Sequence, residues 1–127
     1  TGSTTAATTT IDVSLTAASS TATAYGNAGG YMPAVTNVAL GTTVRFVNVD
    51  SFSHTASSLG ATSFPSSSPL GASALNVSGG TLSGGWSSGT LGAGTASQTL
   101  LADRAGTYLY GCFFHYSSPM RGAIVVR

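Results

Sequence analysis

From Ile11 onward the chain alternates, with Ile11, Val13 and Leu15 apolar and Asp12, Ser14 and Thr16 polar. A period of two turns one set of side chains toward a core and the other toward water, so this segment predicts a half-buried strand. Val35 to Leu40 reads similarly and stops at a turn on Gly41. Thr43 to Val49 (TVRFVNV) is β-branched or aromatic at five of seven positions, a composition that packs well on a pleated surface. Thr99–Leu101, Thr107–Cys112 (TYLYGC) and Gly122–Arg127 (GAIVVR) predict three further strands, with a turn over Asp103–Gly106. Between Thr55 and Ser97 the chain is rich in Gly, Ser and Thr and carries Pro65, Pro69 and two Gly-Gly pairs, which predicts short strands and long surface loops. Nowhere do apolar residues recur with helical spacing, and the strong helix formers Glu and Lys are absent. The predicted fold is all-β, a Greek-key sandwich or barrel of about seven to eight strands.

A length of 127 residues suits a single domain, and 42% apolar residues supply its core. Residues 1–10 (TGSTTAATTT) have nothing to bury and are read as a flexible spacer, leaving 11–127 as the domain. Only 6% of residues are charged, four Arg and three Asp, for a net charge of +1. That balance excludes a field for holding nucleic acid or steering an acidic substrate. A single cysteine excludes an internal disulfide, so any chemistry must come from that thiol, two His, two Met and three Asp.

Three of these residues cluster: Cys112, His115 and Met120 form Cys-x2-His-x4-Met between two predicted strands. A loop joining strands can curl until a thiolate, an imidazole and a thioether converge, and His54, the only other His, can complete the pocket. Soft sulfur with two imidazoles and a weak thioether suits copper cycling between Cu(I) and Cu(II). Singly, each residue has a plainer reading, the Cys as a small buried hydrophobe and the Met as gap filler. A cysteine hydrolase would want its thiolate at an exposed electropositive spot, not at the end of an apolar strand. Met32 reads as packing, Trp86 as core, Asp50 as a turn residue or an acceptor near the site, and Phe113, Phe114 and Tyr116 as core and lid.

The stretch Tyr108–Val126 (YLYGCFFHYSSPMRGAIVV) resembles the ligand loop of the small blue copper proteins, the cupredoxins, nearest in spacing to plastocyanin and pseudoazurin. Gly41–Thr55 (GTTVRFVNVDSFSHT) resembles the strand that delivers their first His. The resemblance covers residues 31–55 and 86–127, whereas 56–85 is similar only in having loops. It implies one copper per chain, with His54 and His115 as imidazole ligands, Cys112 as the thiolate and Met120 as the long axial ligand. Two positions depart from the family pattern. Phe114 stands where many relatives carry Pro, which restores a backbone N–H able to donate to the Cys112 sulfur. Thr55 stands where many carry Asn, leaving either Thr55 or Asn48 to tie the His54 strand to the Cys112 loop.

The function expected from this resemblance is one-electron transfer between redox partner proteins, not enzymatic catalysis. The alternatives are a copper carrier on the same fold and a non-redox β-sandwich surface module. The chain is expected to act as a monomer outside the cytoplasm, in the periplasm or at the cell surface, with any membrane tether beyond residues 1–127. A charge-poor surrounding of the metal is expected to favour Cu(I).

Overall fold

The computed structural model describes residues 7–127, in which twelve strands and one short 3-10 helix, Ala72–Leu75, follow one another. Two six-residue strands, β1 (Thr8–Val13) and β6 (Thr43–Asn48), pair at the centre of a four-stranded sheet, flanked by the short β10 (Leu100–Leu101) and β4 (Tyr31–Met32) in the order β10-β6-β1-β4. A six-stranded sheet is ordered β5 (Val35–Val38), β12 (Arg121–Val126), β11 (Gly106–Gly111), β7 (Ser57–Ser58), β9 (Ser87–Ser88) and β8 (Val77–Ser78). A separate hairpin pairs β2 (Thr21–Thr23) with β3 (Gly26–Ala28).

The alternation seen in the sequence explains the two layers. Ile11 and Val13 of β1, Val44 and Phe46 of β6 and Leu100 of β10 share one buried core with Tyr110 of β11 and Ile124 and Val126 of β12. Two parallel pairings set the register within the sheets: β1 with β6, placing Ile11 opposite Phe46, and β5 with β12, placing Val35 opposite Ala123. Because side chains alternate, a slip of one residue would turn either strand inside out.

Three details differ from the sequence reading. Thr8–Thr10 belong to β1 and pair with Thr43–Arg45, so the spacer expected over 1–10 is too long; residues 1–6 lie outside the described residues. The strands number twelve because several segments of two or three residues pair locally without a hydrophobic run to announce them. The 21–32 region, not predicted as strand, supplies β2, β3 and β4, and Met32 is half-buried in β4. Among the described residues no helix is long and apolar enough to cross a membrane.

Four aromatic rings form the centre of the core. Phe46 stacks on Trp86 at 5.6 Å between centroids and meets Tyr110 edge-on at 5.0 Å, while Tyr31 meets Tyr110 edge-on at 4.7 Å. Such pairs add to the area term because ring edges face ring faces. Phe46→Ala should therefore cost about 3–5 kcal/mol of stability in the metal-free protein, measured by urea unfolding. A loss below about 1 kcal/mol would show that the cluster repacks freely.

Candidate metal centre

His54 sits past the end of β6, on a turn built by Asn48. The Asn48 amide nitrogen donates to the carbonyls of Phe52 and Leu91, both at 2.9 Å, and its oxygen accepts the Asp50 N–H at 2.9 Å. The His54 backbone then bridges Leu91 in both directions, at 3.1 and 2.7 Å. Cys112 directly follows β11, and its N–H donates to the Met120 carbonyl at 3.1 Å, so the loop 112–120 closes at its own base. Within it the Ser118 and Met120 N–H groups donate to the His115 carbonyl, at 3.0 and 3.1 Å. A loop pinned at this many backbone groups holds its side chains in place without needing bulk beneath it.

The three residues are brought together. Cys112 Sγ lies 4.0 Å from His54 Nδ1 and 3.8 Å from His115 Nδ1, and the three ligand atoms are within 4.8 Å of one another. A single ion with bonds of about 2.0 Å to nitrogen and about 2.3 Å to sulfur separates its ligands by about 3.3–3.7 Å at tetrahedral to trigonal angles, so the two sulfur–nitrogen distances need to close by only a few tenths of an ångström around one metal. One thiol and two imidazoles with no carboxylate oxygen among them form a soft set that suits copper. Cys112 and His54 are fully buried, and His115 is half-buried. Met120 is also fully buried, packed against Gly30, whose φ of +77° puts its backbone in the left-handed region.

Asp50 contributes more than a turn. Its Oδ2 lies 2.6 Å from His54 Nε2 and accepts the Leu15 N–H at 2.7 Å, while Oδ1 accepts the Ser14 and Thr16 hydroxyls at 2.7 and 2.9 Å. Burial pushes this carboxyl up, but the bonds from Ser14, His54, Leu15 and Thr16 outweigh it and hold the pKa down at about 2. An ionised carboxylate can only accept, so His54 Nε2 is the donor in that bond, and Nδ1, the nitrogen nearer Cys112, is the ring atom placed to ligate a metal. Burial, then the neighbouring His54, lowers the pKa of His115 from 6.5, which leaves that ring neutral and able to ligate at pH 7. Burial raises the Cys112 thiol, while the backbone N–H groups of Thr55, His115 and Phe114 pull it down by facing the sulfur.

The tie between the two ligand segments is Thr55, not Asn48. Its N–H donates to Cys112 Sγ at 3.4 Å, and its hydroxyl accepts the Phe113 N–H at 2.9 Å. Phe113 is half-buried and Tyr116 buried, whereas Phe114 is 45% exposed and acts as rim instead of core. The 56–85 segment also reaches the site. The Pro65 carbonyl accepts the Tyr116 hydroxyl at 2.6 Å and Arg121 Nη1 at 3.3 Å, and the guanidinium lies against the rings of Tyr116 and Phe64, at 4.6 and 5.7 Å. Sequence reasoning missed the roles of Phe64 and Pro65, whereas Asp50 is the acceptor near the site that it allowed for. The place of Asp50 four residues before His54 was a usable signal; nothing marked Ser14 or Thr16.

The sequence model of the copper binding proteins of the plastocyanin/azurin family matches residues 18–127. Among solved structures, a purple cupredoxin from Nitrosopumilus maritimus superposes with a TM-score of 0.59 at 23% identity, covering 93% of this chain and 98% of that one. An oxidised amicyanin variant, in which lysine replaces a methionine, superposes at 0.51 with 21% identity, over 74% of this chain and 70% of that one. No curated protein sequence matches. The chain belongs to the plastocyanin/azurin family of copper binding proteins, which are electron carriers and not enzymes, and its cofactor is copper, one per chain.

Two outcomes follow for the protein without metal. A Cβ on Gly30 would overlap Met120 Cγ, so Gly30→Ala should displace the Met120 side chain and cost about 1–3 kcal/mol, seen as a shifted Met120 methyl resonance and a lower urea midpoint. An unmoved methyl would refute this. In acid, the bonds to Asp50 contribute stability that is fully present above the unfolded pKa of 3.8 and lost as the pH falls through about 2. His115, lowered from 6.5, adds a loss of its own once the pH drops below that value. Stability of the metal-free protein should fall by about 2 kcal/mol between pH 4 and 2, and Asp50→Asn should remove that step. A main loss between pH 6 and 4 would contradict it.

Proposed function

We propose that the chain is a one-electron carrier, in which one copper held by His54, Cys112, His115 and Met120 exchanges electrons with redox partner proteins. The convergence of Cys112 Sγ and the two Nδ1 atoms within 4.8 Å carries this reading. Bound copper supplies a one-electron couple between Cu(I) and Cu(II). Cys112 and His54 are sealed from water, and the half-buried Phe113 directly follows the cysteine. Sealing the site limits the solvent rearrangement that a change of charge requires.

His115 opens a route to the surface. The rings of Phe52 and Phe114, 39% and 45% exposed, flank it at 5.7 and 6.2 Å between centroids. A partner docking there would meet apolar rings, and the low charge of the whole chain gives weak long-range steering. Two of the three clustered donors are buried and backed by hydrogen bonds at Thr55 and Asp50, an arrangement that suits holding a metal more than handing it on and so favours an electron carrier over a copper carrier. The same chemistry suits a setting outside the reducing cytosol, where thiols would compete for the metal.

The copper-loaded, oxidised protein should show an intense visible charge-transfer band and a reversible one-electron wave. Cys112→Ser should abolish the band while leaving the fold intact by circular dichroism, because only a thiolate supplies that transition. A colourless protein that holds copper only as Cu(I) would favour the carrier, and colour surviving in the serine variant would remove Cys112 from the site.

A further inference from the structure

The neighbourhood of His54 contains a fully bonded buried anion in a chain that has almost no charge to spare. The Asp50 side chain is 2% exposed and the His54 side chain 0%. Both carboxylate oxygens are used twice, one by the Ser14 and Thr16 hydroxyls and the other by Leu15 N–H and His54 Nε2. The Ser14, Leu15 and Thr16 donors come from the turn after β1, and the acceptor from the turn after β6, so the parallel pairing of these strands brings them together. Within its own turn the Asp50 N–H is satisfied by the Asn48 side chain, so the carboxylate is free to join the Ser14–Thr16 turn to His54.

Resting on the assignment of His54 as a copper ligand, we propose that Asp50 is a positioning residue for the copper couple. Its carboxylate fixes the His54 tautomer with Nδ1 bare and, through the short bond at Nε2, loads negative charge onto the ring. A ring so loaded is a stronger donor at Nδ1 and stabilises the more highly charged Cu(II) form over Cu(I). Ser14 and Thr16 set the strength of this effect, because each hydroxyl that bonds the carboxylate takes up part of its charge and weakens its pull on the His54 proton. Asp50 thus opposes the charge-poor surrounding, which favours Cu(I). No proton leaves Nε2 when the electron moves, so only charge distribution changes.

Two substitutions test this with opposite signs. Asp50→Asn removes the anion and keeps an acceptor oxygen, and should lower the ratio of Cu(II) to Cu(I) affinity about tenfold, a rise of about 59 mV in potential by voltammetry. Thr16→Val removes one competing hydroxyl at an exposed position and should shift the ratio the other way. Nitrogen-15 NMR of the diamagnetic Cu(I) protein should show the His54 proton on Nε2. If both variants raise the potential, the carboxylate acts through packing and the inference is overturned. It is equally overturned by an unchanged ratio in Asp50→Asn with the charge-transfer band intact, or by a Cu(I) form with no proton on Nε2. Should Asp50→Asn fail to fold, the sign of the Thr16→Val shift and the NMR tautomer decide. A wild type without the band, or a band and potential untouched by His54→Ala, would instead refute the ligand assignment.

Discussion

Thr55 joins the two halves of the site. Its amide faces the Cys112 sulfur, its hydroxyl accepts the Phe113 N–H, and its carbonyl accepts the Tyr31 hydroxyl at 2.5 Å. One buried residue therefore connects the His54 turn, the Cys112 loop and β4. Buried polar groups are costly when unpaired, so each bond helps to hold the other two in place. The distance between His54 and Cys112 is set by this crosslink, and with it the space left for a metal. A threonine does this because its hydroxyl can accept from the loop while its amide donates to the sulfur.

The long strands were legible because a buried face writes a period of two into the sequence. β1, β6, β11 and β12 lie within a few residues of their predicted places. The four candidate ligands were legible because they are chemically rare in this chain, and three of them do converge. The remainder was hidden for physical reasons. β2, β3 and β7 to β9 are two- or three-residue pairings among mostly small or polar residues, held mainly by backbone bonds that any side chain permits. Ser14 and Thr16 looked like the solvent face of a strand, yet they bond Asp50 across 34 to 36 residues of sequence. Thr55 and Asn48 remained alternatives because both can hydrogen bond, and only the three-dimensional path of the turn separates them.

The surroundings of the cluster combine opposite influences. Phe113, Phe114 and the buried thiol make a poor home for charge, whereas Asp50 places a full negative charge one imidazole away. At the end of the ligand loop the Arg121 guanidinium, set against Phe64 and Tyr116, anchors the 56–85 segment to the loop's base. That segment lies inside the 18–127 match to the family model, although its own sequence offers little beyond loop signals, and it is bonded to the base of the ligand loop. Its Ser-rich composition still serves a packed role at Ser57, which is buried and hydrogen bonded to the buried Ser87 of β9.

The parallel pairing of β5 with β12 joins Val35 to Ala123, across most of the length of the domain. Contacts this distant in sequence close late, because their loop entropy is spent before any burial rewards it. During synthesis the residues of β12 emerge after everything they pair with, and the 112–120 loop can close only when β12 has docked beside β11. His54 is therefore held apart from the neighbouring Cys112 and His115 until this late docking. Copper encountering an unfinished chain would find no chelating group of three, so capture of the metal is coupled to completion of the fold.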